Sequence, residues 1–156
     1  MIFRQNKMYT MEAKLKKIIR DSFPELLNFE FSLKYDQLKD SFAETWQIGD
    51  SKYVFAIDES FRDAGEHVII GLLVHELSHI SQDLELTGIE ASVDIFLNDN
   101  VPRYSLLDER NADITAVIRG YGLNLLKLMR YLETNYPSYE TEGLSVEELE
   151  ILLGLK

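Results

Sequence analysis

The segment His75-Glu76-Leu77-Ser78-His79 sets two imidazoles four residues apart with a carboxylate beside the first. On a helix, positions four apart lie one turn apart on one face, so both rings can reach a single ion. Neutral imidazole suits zinc, and a catalytic zinc site takes three protein ligands plus a water. Glu76 points beside that water and can act as its base. Two of the chain's three histidines fall in this segment. Leu72, Leu73, Val74, Leu77 and Ile80 wrap the polar trio in apolar surface, where imidazole and carboxylate need partners. The competing reading is a chance polar patch on an exposed helix.

A third ligand has to come from elsewhere. The remaining histidine, His67, lies eight residues before His75, about 12 Å along a continuous helix axis, too far to share the ion. A ligand six residues after His79 would be Glu85, but Gln82 stands where a turn-making glycine is required, so a metzincin-type arrangement fails. Asp83 continues the histidine face too far along the same rod. The run Asp108-Glu109-Arg110-Asn111-Ala112-Asp113 supplies a carboxylate on a second element. Glu109 and Asp113 are one turn apart, so the first can ligate zinc while the second accepts a hydrogen bond from the unligated nitrogen of a zinc histidine. Asp108 and Asp113 stay open as the ligand should Glu109 not serve. Acids at a helix start are also favoured by the macrodipole alone. Ala112, Ala116 and Gly120 follow at steps of four, a small-residue stripe along which the histidine helix can approach closely.

The elements that must position these groups are legible from periodicity. Met11, Leu15, Ile18, Ile19, Phe23 and Leu26 predict a helix between Thr10 and Leu27, ended or kinked by Pro24. Alternation over Phe29–Tyr35 predicts a strand, and Thr45–Ile48, Gly49-Asp50-Ser51 and Lys52–Asp58 predict a hairpin whose second strand is apolar on both faces. Glu66 to Leu84 reads as a mostly buried helix. Gly88, Asn98, Asn100 and Pro102 predict a long connection over 85–105 containing a short helix. From Ser105 a long helix carries a stripe of Ile114, Ile118, Tyr121, Leu125, Leu128 and Leu132, with Gly120 and Gly122 weakening its middle. Beyond Pro137 lies an acidic tail, in which Ser145 through Leu153 can cap and form a short helix.

Composition bounds the function. The 156 residues are 46% hydrophobic and 28% charged, which suits one folded domain. A net charge of −11 repels a phosphate backbone, so nucleic acid is not an expected partner. Without cysteine there is no disulfide, no thiolate nucleophile and no Cys-ligated zinc, which fits a cytoplasmic location. Charged residues interrupt Met1–Ile19, and the longest uncharged apolar run is Val68–Val74, so neither a signal peptide nor a membrane span is expected. Arg4, Lys7, Lys14, Lys16, Lys17 and Arg20 oppose an acidic C-terminal end, a dipolar distribution that leaves the oligomeric state undetermined.

His75-Glu76-Leu77-Ser78-His79 followed thirty residues later by Glu109-Arg110-Asn111-Ala112-Asp113 resembles the gluzincin zinc peptidases, whose HExxH helix is joined by a second helix bearing Glu-x-x-x-Asp. The small size is similar to the compact members called minigluzincins. The resemblance covers roughly Lys52 to Tyr121, and Ser81 departs from it where zincin helices usually carry an apolar residue. It implies an α+β fold: a single zincin-like domain over 1–156 with a backing helix, a short mostly antiparallel sheet, an active-site helix and a glutamate helix, and 137–156 as an acidic tail or short helix. It also implies His75, His79 and Glu109 as Zn2+ ligands, Glu76 as general base and acid, and Asp113 as the residue orienting His75. The expected function is hydrolysis of peptide bonds in a peptide or protein substrate by a zinc-bound water that Glu76 activates. The exposed edge of strand 52–58 is a candidate for pairing with an extended substrate, against a plain core strand as the alternative. His67, Tyr104 and Tyr121 are candidate oxyanion donors, though each also has a structural explanation. Arg103, Arg110 and Arg119 are candidates for a substrate carboxylate or for surface pairing. The alternative function is a latent or non-catalytic zincin-fold module that binds metal or a partner, its cleft occluded by a terminal segment.

Overall fold

The computed structural model describes residues 2–156, with side chains from residue 10 onward. Its contacts fall into two compact units, one ending at Gly65 and one spanning Glu66–Lys156. The class is α+β, mostly helical, with one three-stranded sheet.

The first unit opens with α1 (Ile2–Ser22), which begins earlier than the periodicity predicts. Met11, Leu15, Ile18 and Ile19 form its buried face, and Phe23 and Leu26 are buried just beyond it. Pro24 has no N–H to extend the helix and instead opens a short 3-10 turn, Pro24–Leu26. Of the N-terminal bases, the side chains of Arg4 and Lys7 lie outside the described residues, while Lys17 and Arg20 both pair with Asp21.

Strands β1 (Glu30–Asp36), β2 (Ala43–Ile48) and β3 (Lys52–Asp58) form a sheet in the order β1-β3-β2. β2 and β3 make the expected hairpin, turning through Gly49 at φ 61°, a conformation that suits glycine. β1 joins β3 in parallel, with Glu30 opposite Lys52 and Asp36 opposite Asp58. The sheet is therefore mixed, with one parallel and one antiparallel pair, and not mostly antiparallel. β3 is its central strand, and Tyr53 to Ile57 are all buried. The strand that is apolar on both faces is hydrogen-bonded on both sides, so it offers no edge to an extended peptide, and of the two readings of 52–58 the plain core strand holds and the substrate-pairing edge does not.

The second unit is helical. α2 (Glu66–Asp83) carries the histidines and buries Val68, Ile69, Leu72, Leu73, Val74, Leu77 and Ile80. Residues 85–105 are mainly helix and not a long connection: α3 (Gly88–Asn100) spans 13 residues, held at its start by a reciprocal Thr87–Glu90 capping box. α4 (Pro102–Ala116) follows at once, with proline at the first turn, where no N–H is needed. A wide π-type turn over Val117–Tyr121, with Gly120 at φ 94°, breaks the run before α5 (Gly122–Asn135).

That break explains why the predicted apolar stripe is buried only in part. Leu125, Leu128 and Leu132 are buried, whereas Ile114 is 40% and Ile118 78% exposed. A uniform period across 114–132 assumes one continuous helix, and the extra residue in a π turn rotates the inward face. On α4 the inward residues are Ala112, Asp113 and Ala116. Ala112 and Ala116 are fully buried and allow the close packing of α4 on α2, as the small-residue stripe predicts. Gly120 instead serves the turn, since a side chain would have open space there but a strained backbone. α6 (Val146–Leu152) closes the unit against α5, capped by Ser145 and with Leu149 buried. Among the described residues no helix is long and apolar enough to cross a membrane.

Candidate metal centre

α2 and α4 bring the chemistry together. His75 and His79 sit one helical turn apart, with Nε2 atoms 3.2 Å from each other. Glu109 on α4 faces both: one carboxylate oxygen is 3.2 Å from His75 Nε2 and the other 3.3 Å from His79 Nε2. Each residue thus offers one ligand atom to a cluster spanning at most 4.8 Å, and all three are partly buried. A tetrahedral site with ligands at about 2.0–2.1 Å has edges of about 3.3–3.4 Å. The Nε2–Nε2 separation of 3.2 Å is close to such an edge, and Glu109 meets each ring with a different oxygen, at 3.2 and 3.3 Å, so its carboxylate straddles the gap between the two nitrogens. Two imidazoles and one carboxylate are also a zinc-compatible donor set.

The outward nitrogen of each ring is occupied as well. His75 Nδ1 lies 2.8 Å from Asp113 Oδ1, and His79 Nδ1 lies 3.4 Å from Asp108 Oδ2. Each carboxylate favours the tautomer that carries hydrogen on Nδ1 and a lone pair on Nε2, the arrangement a metal-binding histidine needs. The structure brings Asp113 against His75, the ring it was expected to orient. The contact of Asp108 with His79 is new, because sequence spacing leaves Asp108 only as a substitute ligand.

The acids around the two rings favour positive charge on them. Burial works against the charged form of His79, but hydrogen bonds to Asp108 and Glu109 outweigh it and lift the ring to about 9. Burial opposes charge on His75 too, and hydrogen bonds with Asp113 and Glu109 raise it well above the ordinary histidine range. For Glu109, burial alone would favour the protonated acid, yet the two histidines hold it far below the usual carboxylate range. The acids thus favour positive charge between the rings, which protons or a bound cation would supply.

Glu76 is half-buried on α2 beside His75, where its charge adds to the field that raises that ring. The other candidates fall elsewhere. His67 Nδ1 pairs with Asn124 at 3.2 Å, and the Tyr104 hydroxyl donates to Asp94 at 2.6 Å. Arg110 binds Glu148, and Arg119 reaches the Ser81 hydroxyl at 3.5 Å, giving the buried Ser81 a polar partner. Tyr139, which no motif singled out, lies near enough to Glu109 for that charge, after burial, to raise its phenol above the ordinary value. No family model, curated protein or solved structure matches this chain.

Proposed function

We propose that the protein is a metal-dependent peptidase of the compact gluzincin type, with zinc held by His75, His79 and Glu109 and with Glu76 moving the proton. The convergence of those three side chains, with ligand atoms within 4.8 Å of one another and the two Nε2 atoms 3.2 Å apart, is the observation that carries this assignment. When bound, zinc supplies Lewis-acid polarisation of a carbonyl and acidification of water. The protein's residues supply the rest. Asp113 and Asp108 hold the two rings by their Nδ1 atoms, so neither needs reorienting during the reaction. The Glu76 carboxylate accepts a proton from the attacking water and returns it to the departing amine nitrogen. The pairing of a histidine helix with a glutamate helix, each bearing its motif within one turn, supports the zincin-like assignment of the second unit.

Elemental analysis combined with mass-spectrometric cleavage of a peptide library tests the proposal. Wild type is expected to carry one zinc per chain and to cut peptides. Glu76→Gln is expected to keep the zinc and lose cleavage by about 100-fold or more. A wild-type protein that binds zinc and cuts nothing, or a Glu76→Gln variant as active as wild type, contradicts the peptidase assignment; the first result leaves a non-catalytic metal-binding module.

A further inference from the structure

Asp113 is a carboxylate with 2% of its surface exposed, and an acid that deep needs hydrogen bonds on both oxygens. Oδ1 faces His75 Nδ1. Oδ2 accepts the backbone N–H of Leu144 at 2.6 Å, from 31 positions downstream, and Leu144 is itself buried. The residue before it is Gly143, where any side chain would collide with Asp113 Oδ2. The φ of Gly143 lies outside the left-handed region, so glycine is required there for space and not for backbone conformation.

Two contacts hold that peptide in place. Arg110 donates to the Gly143 carbonyl at 3.2 Å, and its guanidinium binds the Glu148 carboxylate at 2.7 and 3.2 Å. Glu148 also accepts the Ser145 N–H at 2.9 Å, closing the box that caps α6. Arg110 directly follows Glu109, so one turn of α4 carries both a candidate ligand and the clamp on the C-terminal segment.

We propose that residues 143–148 form a positioning element of the metal centre. The Gly143–Leu144 peptide fixes Asp113, and Asp113 fixes the His75 ring with Nε2 toward the cation. Gly143 and Leu144 are positioning residues that act through Asp113. This rests on His75 being a ligand, and the test separates the two ideas.

Zinc affinity of the full chain is measured by competition with a chromogenic chelator for wild type, Gly143→Ala, Asp113→Ala and the double variant. Gly143→Ala is expected to weaken binding about tenfold or more. In the Asp113→Ala background the same change is expected to cause no further loss, because the group it displaces is gone. Wild-type affinity in Gly143→Ala, or losses that multiply in the double variant, overturn the proposal while leaving the ligand assignment intact. A wild-type chain without a stoichiometric zinc site overturns the ligand assignment, and the proposal with it. If Gly143→Ala does not fold, Glu148→Gln carries the same cycle: a several-fold loss that vanishes beside Asp113→Ala supports the proposal, and an unchanged affinity overturns it.

Discussion

Each imidazole of the cluster uses both nitrogens, and the two outer carboxylates are not equivalent. Asp113 is buried and 2.8 Å from His75, whereas the Asp108 side chain is 32% exposed and 3.4 Å from His79. A buried, short hydrogen bond fixes a ring far better than a long one that water can replace. Asp113→Asn is therefore expected to lower zinc affinity about 10- to 100-fold, and Asp108→Asn by less than tenfold; chelator competition at one pH measures both. At this scale the motifs were legible because His75/His79 and Glu109/Asp113 are each separated by a single helical turn, a local relation that spacing encodes. The Asp108–His79 pairing was not, since it depends on how two helices are rotated about their axes. Nor was the Leu144–Asp113 bond, which joins a backbone group of no special type to a side chain 31 positions away.

At the level of elements, helix spacing is controlled by a glycine that periodicity treats as filler. A Cβ on Gly71 of α2 would lie 2.6 Å from the carbonyl oxygen of Asn124 on α5, a backbone atom that cannot swing aside. Gly71→Ala is expected to destabilise the fold by about 1–3 kcal/mol despite the higher helix propensity of alanine. Gly88→Ala, with open space around it at the start of α3, is expected to be neutral or slightly stabilising. Thermal unfolding followed by circular dichroism distinguishes the signs. The clamp on α6 has a pH signature as well. Arg110, together with the Ser145 N–H, holds the Glu148 carboxyl at about 2, below its ordinary value of 4.5. A depressed carboxyl stabilises the fold above pH 4.5 and loses that contribution as pH falls towards 2. The stability difference between wild type and Glu148→Gln is thus expected to be present at pH 7 and to vanish near pH 2. With both side chains more than a third exposed it stays below about 1 kcal/mol. Element types were mostly legible from period. What was not legible came from longer range: the parallel partner of β3, the 13-residue α3, and the turn at Gly120 that rotates the inward face between α4 and α5.

For the whole molecule, the net charge of −11 draws cations without any defined site. Such loose binding is screened within about 10 Å at 0.1 M salt, whereas the proposed ligation by His75, His79 and Glu109 would be short-range and partly buried. Equilibrium dialysis is therefore expected to find more than one divalent cation per chain at low ionic strength and one at 0.5 M salt. All the groups assigned to the centre, from His75 to Glu148, belong to the unit spanning Glu66–Lys156. Zinc-edge X-ray absorption on the loaded protein tests the central claim most directly. A four-coordinate shell of nitrogen and oxygen at about 2.0–2.1 Å, with two imidazole contributions of which one is lost in His79→Ala, is the expected result. An all-oxygen six-coordinate shell, or a spectrum unchanged in His79→Ala, would contradict it.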